Sequence, residues 1–154
     1  MSWWNPFAKS KPAPVRRSVT GPQIAALLQE ALRGRVAPTY RHIAQKQTMA
    51  LCDMPTLEAA AEKARKPWQK DVWECEDIAR AALNRLQEQA ANQGRSYAAG
   101  MLRAKAPEGT DLHVYLWCFV EHPVLNRSLA AFYDPTAMRW VTSEALYDVD
   151  YTIT

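Results

Sequence analysis

The sequence predicts an α+β domain in which N-terminal helices come first and an antiparallel sheet follows. Up to Gly94, apolar residues recur every three or four positions, the spacing of one helix face. Beyond Gly94 the pattern changes to alternation, with Pro107-Glu108-Gly109 and the Pro123 to Asn126 stretch supplying turns. Helical segments followed by a run of strands is the α+β order.

Residues 1–19 read as a flexible basic and aromatic arm. Pro6, Pro12 and Pro14 break helix, and Lys9, Lys11, Arg16 and Arg17 have no periodic apolar partners. Trp3, Trp4 and Phe7 form an aromatic cluster within it. The cluster either folds back on the domain or serves as a docking peptide for a partner protein. Residues 20–154 read as a single domain.

Thr20 before Pro22 marks the first helix start, a capping residue with proline in the first turn. Ile24, Leu27, Leu28 and Leu32 continue at helical spacing until Gly34. A second helix begins near Met54-Pro55-Thr56, runs through the strong helix formers 57–64 and ends before Pro67. The third helix has Asp71 as its expected N-cap and Glu74 as the capping-box partner. Cys75, Ile78, Ala79, Ala82, Leu83 and Leu86 form its inward stripe. Strands are expected near 97–105, 111–120, 128–134, 138–141 and 145–153.

At 154 residues, with 48% apolar and 23% charged side chains, the chain has the size and composition of one globular domain. No apolar run reaches the roughly 18 residues of a transmembrane span, and no signal-peptide pattern opens the chain. The net charge is +3, and residues 1–19 hold +4 of it, leaving −1 for the body. Such a body argues against a nucleic-acid-binding face. Three widely spaced cysteines, Cys52, Cys75 and Cys118, argue for a reducing, cytoplasmic setting. No CxxC pair or His-rich cluster is present, so neither a metal nor a cofactor is expected.

Cys75 carries the chemical interest. A thiol in the first turn of a helix meets unpaired N–H groups and the positive end of the macrodipole, which favour the thiolate. Glu76 and Asp77 oppose this unless they point elsewhere. His113, at the start of one strand, can supply an imidazole. Asp134, at the end of the next, can hold that ring's other nitrogen. Asp134-Pro135-Thr136 would end the strand with the carboxylate at its tip. The plain readings are a buried inert thiol, a half-buried histidine and a turn-forming aspartate. Cys118 reads as core, Cys52, His42 and His122 have no partners at motif spacing, and Asp148 and Asp150 read as a solvated strand face.

Trp73-Glu74-Cys75-Glu76-Asp77-Ile78-Ala79 resembles the Trp-acid-Cys-acid-Asp-aromatic-Ala signature of papain-like and transglutaminase-like cysteine protease domains. The resemblance is nearest to the agglutinin C-terminal type and its small bacteriophage-encoded relatives. His113 and Tyr133-Asp134-Pro135-Thr136 follow in the family's order, and the likeness covers roughly residues 55–141. Departures are Leu112 and Val114 around the histidine, where relatives have small residues, and Ile78 in place of an aromatic. The resemblance implies a papain-like or transglutaminase-like core and a cysteine hydrolase or acyl transferase acting on amide bonds of a peptide or protein substrate. Cys75 would be the nucleophile, His113 the base and acid, and Asp134 the orienting group. Gln69 would complete the oxyanion site, and Trp73, Tyr115 and Trp117 would line the cleft. Agglutinin-type relatives bind calcium, but no such ligand set maps onto this chain. The alternative is a non-catalytic interaction or structural module, for example a phage virion or assembly protein, that docks through its N-terminal arm.

Overall fold

The computed structural model describes residues 18–43, 48–70, 74–105, 111–122 and 127–154. The described chain opens on a short strand, β1 (Ser18–Thr20), which leads directly into α1 (Gly21–Ala31). Thr20 caps that helix as its sequence predicts. Its Oγ1 accepts from the Gln23 N–H at 3.4 Å, and its own N–H donates to Gln23 Oε1 at 2.9 Å. Then follow β2 (Val36–Ile43), β3 (Thr48–Ala50), α2 (Met54–Ala64) and α3 (Cys75–Ala91). The remaining strands are β4 (Ala99–Lys105), β5 (Leu112–His122), β6 (Arg127–Asp134), β7 (Arg139–Val141) and β8 (Tyr147–Ile153).

Six strands form the main sheet in the order β2-β8-β4-β5-β6-β7, while β1 and β3 pair separately. The β2–β8 pair is parallel and the other neighbours are antiparallel. Alternation along β4 and β5 sends side chains to opposite faces, and both faces are covered. On one face Met101, Val114, Leu116 and Cys118 meet Leu57 and Ala60 of α2 and Ala79, Ala82 and Leu86 of α3. On the other, Leu102, Ala104, Trp117 and Phe119 meet Ile24, Leu28 and Leu32 of α1. Gly100 lets the layers close, because a Cβ there would lie 1.7 Å from the Ile153 carbonyl oxygen.

This architecture corrects the expected helices-then-antiparallel-sheet order, and with it the papain-like or transglutaminase-like core that the resemblance implied. Three strands precede or separate the first two helices, the sheet is mixed, and strand outweighs helix. The cause is long-range pairing. Val36-Ala37-Pro38-Thr39-Tyr40-Arg41-His42-Ile43 contains a proline and several polar residues, as an edge strand tolerates. Its extended form is fixed by β8, more than a hundred residues later, so no local period announces it. The expected cap Asp71 lies outside the described residues. The structure starts α3 with Glu74 as N-cap, whose N–H donates to Asp77 Oδ2 at 3.1 Å.

Candidate functional site at the head of α3

Cys75 is the first residue of α3 and is half-buried. Its thiol meets the His113 side chain and the backbone N–H groups of Val114 and Glu76. Contact with His113 is the main force drawing the thiol pKa below its usual value. Burial opposes that shift, and the two backbone donors reinforce it. The neighbouring acids do not undo the effect, because both are engaged elsewhere. Glu76 pairs with Arg80 one turn along the helix, and Asp77 turns back to the Glu74 N–H.

His113 is the second residue of β5. Its ring packs edge-on against Tyr115, with centroids 4.7 Å apart. The ring Nε2 lies 2.9 Å from Asp134 Oδ1. Burial alone would lower the imidazole pKa. The hydrogen bonds to Asp134 and Cys75, with the charges of both, outweigh it and raise the pKa to about 9. Asp134 ends β6, and the same Oδ1 accepts the N–H groups of Thr136 at 3.0 Å and Ala137 at 3.1 Å. Burial works against the Asp134 carboxylate, and the contact with His113 and these backbone donors nevertheless hold its pKa below the usual carboxylate range.

Cys75 and His113 open onto a cleft of about 360 Å³ lined by Trp68, Glu74, Cys75, Leu112, His113 and Thr136 among the described residues, with Asp134 buried behind the imidazole. Trp68 and Leu112 are exposed and form its apolar lips. The arrangement can hold a thiolate beside an imidazolium, and two backbone N–H groups already point at the negative charge.

Thus the structure brings Cys75, His113 and Asp134 together. Among the described residues it does not bring Gln69, Tyr115 or Trp117 to the cleft. Trp117 is fully buried on the α1 face, where its Nε1–H donates to the Met101 carbonyl at 3.0 Å, and Tyr115 is buried beside it. Both share His113's face of β5 but lie farther along the strand, where they pack in the core with Leu102 and Phe119. Gln69 is exposed and is not among the described lining residues. Trp73, and Trp3, Trp4 and Phe7 of the arm, lie outside the described residues. Trp68, Glu74 and Thr136 are the lining residues that sequence reasoning missed. The Asp-Pro-Thr turn was the one signal that could have found Thr136.

Cys52 and Cys118 are both fully buried and meet each other across the α2 face of the sheet. Asp150 and Asp148 are not a simple solvated face. Asp150 takes both Arg103 Nε (3.0 Å) and Nη2 (2.6 Å), and Asp148 pairs with Lys105 at 3.0 Å. Among the described residues no cluster of His, Cys, Asp and Glu could hold a metal, and no helix is long and apolar enough to cross a membrane.

No protein-family model matches the chain, and no curated protein matches it. Solved structures do. One, described as "PSL1a-E64 complex", superposes with a TM-score of 0.72 at 15% identity, covering 89% of this chain and 51% of that one. Another is Polyporus squamosus lectin bound to the epitope Neu5Aca2-6Galb1-4GlcNAc, with a TM-score of 0.68, 17% identity, and 89% and 49% coverage. The likeness is one of fold. This chain spans about half the length of those it matches. The neighbours overturn the papain-like or transglutaminase-like assignment, since the fold is shared with a chain described as a lectin and no family model supports that assignment. The cysteine hydrolase or acyl transferase reading rested on the assignment and is corrected with it.

Proposed function

We propose that this chain is a binding module rather than a hydrolase, and that its ligand enters the cleft at the head of α3. The carrying observation is the linked Cys75–His113–Asp134 arrangement opening between the exposed side chains of Trp68 and Leu112. Such a cleft offers a ligand an aromatic face, an apolar edge and a fixed set of charged and polar groups. Cys75, His113 and Asp134 are the residues this reading places at the centre, with Cys75 as a thiolate, His113 as its imidazolium and Asp134 as the orienting carboxylate. Fold neighbours described as a sugar-bound lectin and as an E64 complex supply two ligands to try. The arm at residues 1–19, through Trp3, Trp4 and Phe7, is proposed as a separate contact to a protein partner.

The test measures protection of Cys75 from iodoacetamide, read by peptide mass spectrometry on the full chain. The trisaccharide Neu5Aca2-6Galb1-4GlcNAc and E64 are each offered beforehand. Protection of Cys75 by either, lost in Trp68→Ala, supports the cleft as the binding site. Labelling unchanged by both ligands counts against it. Steady release of product from amide substrates, abolished by Cys75→Ser, would overturn the non-catalytic reading itself.

A further inference from the structure

A second, larger cavity of about 490 Å³ lies on the same side of the sheet, beyond the α3 head, and nothing in the Cys75 cleft uses it. Among the described residues it is lined by Thr39, Arg41 and Ile43 of β2, Arg103 of β4, Asp150, Tyr151 and Ile153 of β8, and Glu76 of α3.

Strand register gives the cavity an ordered floor. Arg41 pairs with Tyr151 across β2–β8, and Tyr151 pairs with Arg103 across β4–β8. The three therefore form one transverse row, Arg41–Tyr151–Arg103, with about 4.8 Å between neighbouring strands. Two positions along, Ile43 pairs with Ile153. A charged and aromatic row thus lies beside an apolar one, on the edge of the sheet where β2 has no further neighbour.

The charges in the cavity are unevenly engaged. Arg103 is clamped by Asp150 and stacks 4.8 Å from the Tyr151 ring centroid, so it is neutralised and held in place. Glu76 is paired with Arg80. Arg41 is exposed and has no ion pair among the described residues. One guanidinium is left over, beside an aromatic ring and two isoleucines.

We propose that this cavity is a second binding site, for a small aromatic carboxylate. The carboxylate would take the Arg41 guanidinium fork, and the ring would lie against Tyr151, Ile43 and Ile153. The clamp on Arg103 matters because it keeps the floor flat and prevents Asp150 from repelling the incoming anion.

The probe is 2-naphthoate, titrated into the full chain and followed by backbone amide NMR. Saturable shifts at residues 41, 43, 103, 151 and 153 are expected. Arg41→Gln should weaken binding about ten-fold, and Arg41→Lys should restore only part of it. Uncharged 2-naphthol should bind about ten-fold more weakly than the carboxylate. Cys75→Ser should leave the affinity unchanged, which separates this site from the first cleft. The proposal is overturned if Arg41→Gln, with an otherwise native spectrum, binds as well as the wild type. It is equally overturned if the shifts fall only around Cys75, or if none saturates by about 10 mM ligand.

Discussion

The molecule holds the same side chain in two opposed settings. Cys75 stands at a helix head, half-buried, against an imidazolium and two backbone N–H groups, and its pKa is drawn down. Cys118 stands in the sheet core against Cys52. That contact comes first, burial second, and together they push its pKa well above the usual thiol value. The difference teaches that neither sequence neighbours nor residue type decides thiol chemistry here. Cys75 has two acids beside it in sequence, yet its pKa is drawn down, because Glu76 and Asp77 are turned to other partners. What decides is which groups tertiary structure points at the sulfur, and whether they can stabilise charge.

The sharpest way to break the comparison is direct labelling. With iodoacetamide near neutral pH, Cys75 should react roughly a hundred-fold faster than Cys52 or Cys118 in the native chain, and the gap should close in denaturant. Peptide mapping over time measures this, and equal native rates would remove the distinction.

Serine substitution separates the two settings by stability. Cys118→Ser should cost about 1–3 kcal/mol, since it introduces a hydroxyl into a fully buried apolar site. Cys75→Ser should cost less than about 1 kcal/mol, because the position is partly exposed and its polar partners accept a hydroxyl. Urea denaturation of both variants gives the order.

Removing the imidazole sharpens the electrostatic part. His113→Ala should slow Cys75 labelling at mildly acidic pH by about ten-fold, while Asp134→Asn slows it by a smaller factor. Labelling of Cys52 and Cys118 should not change in either variant.

The pH dependence carries the smallest effect and the most specific sign. His113 titrates near 9 in the folded chain, above its ordinary 6.5. Its contribution to stability is therefore full below about 6.5 and is lost as pH rises through about 9. The depressed Cys75 thiol works the other way: its contribution is present above the ordinary thiol value and is lost as pH falls through the lowered one. Both groups are charged only between the lowered Cys75 value and about 9. The stability gap between wild type and His113→Ala should therefore shrink by roughly 1–3 kcal/mol from pH 7 to pH 10, as measured by thermal unfolding.

Much of the local structure was legible in advance. Thr20 and Pro22 announce α1, the alternation after Gly94 announces β4 to β8 within two residues at most ends, and the apolar run around Cys118 marks it as core. The order of Cys75, His113 and Asp134 along their elements was also legible, because helix starts and strand ends leave local marks. A strand's period shows that His113, Tyr115 and Trp117 share a face, but not how far along that face the cleft reaches; of the three only His113, at the start of β5, lines it. The family assignment failed for a related reason. A short motif around a cysteine constrains a few positions, and the fold comparison weighs nearly the whole chain.

The amino-acid sequence by itself determined where the helices begin, where the alternating strands run and which three reactive side chains stand at their ends. These depend on contacts within a few residues. Tertiary structure alone decided that β2 joins β8 in parallel, that α1 covers the face opposite α2 and α3, and that Arg41, Tyr151 and Arg103 form one row. It also decided that the Cys75 pKa is lowered while that of Cys118 is raised. Each of those outcomes depends on groups far apart in sequence meeting in space, and their pairing is fixed only when the whole core closes.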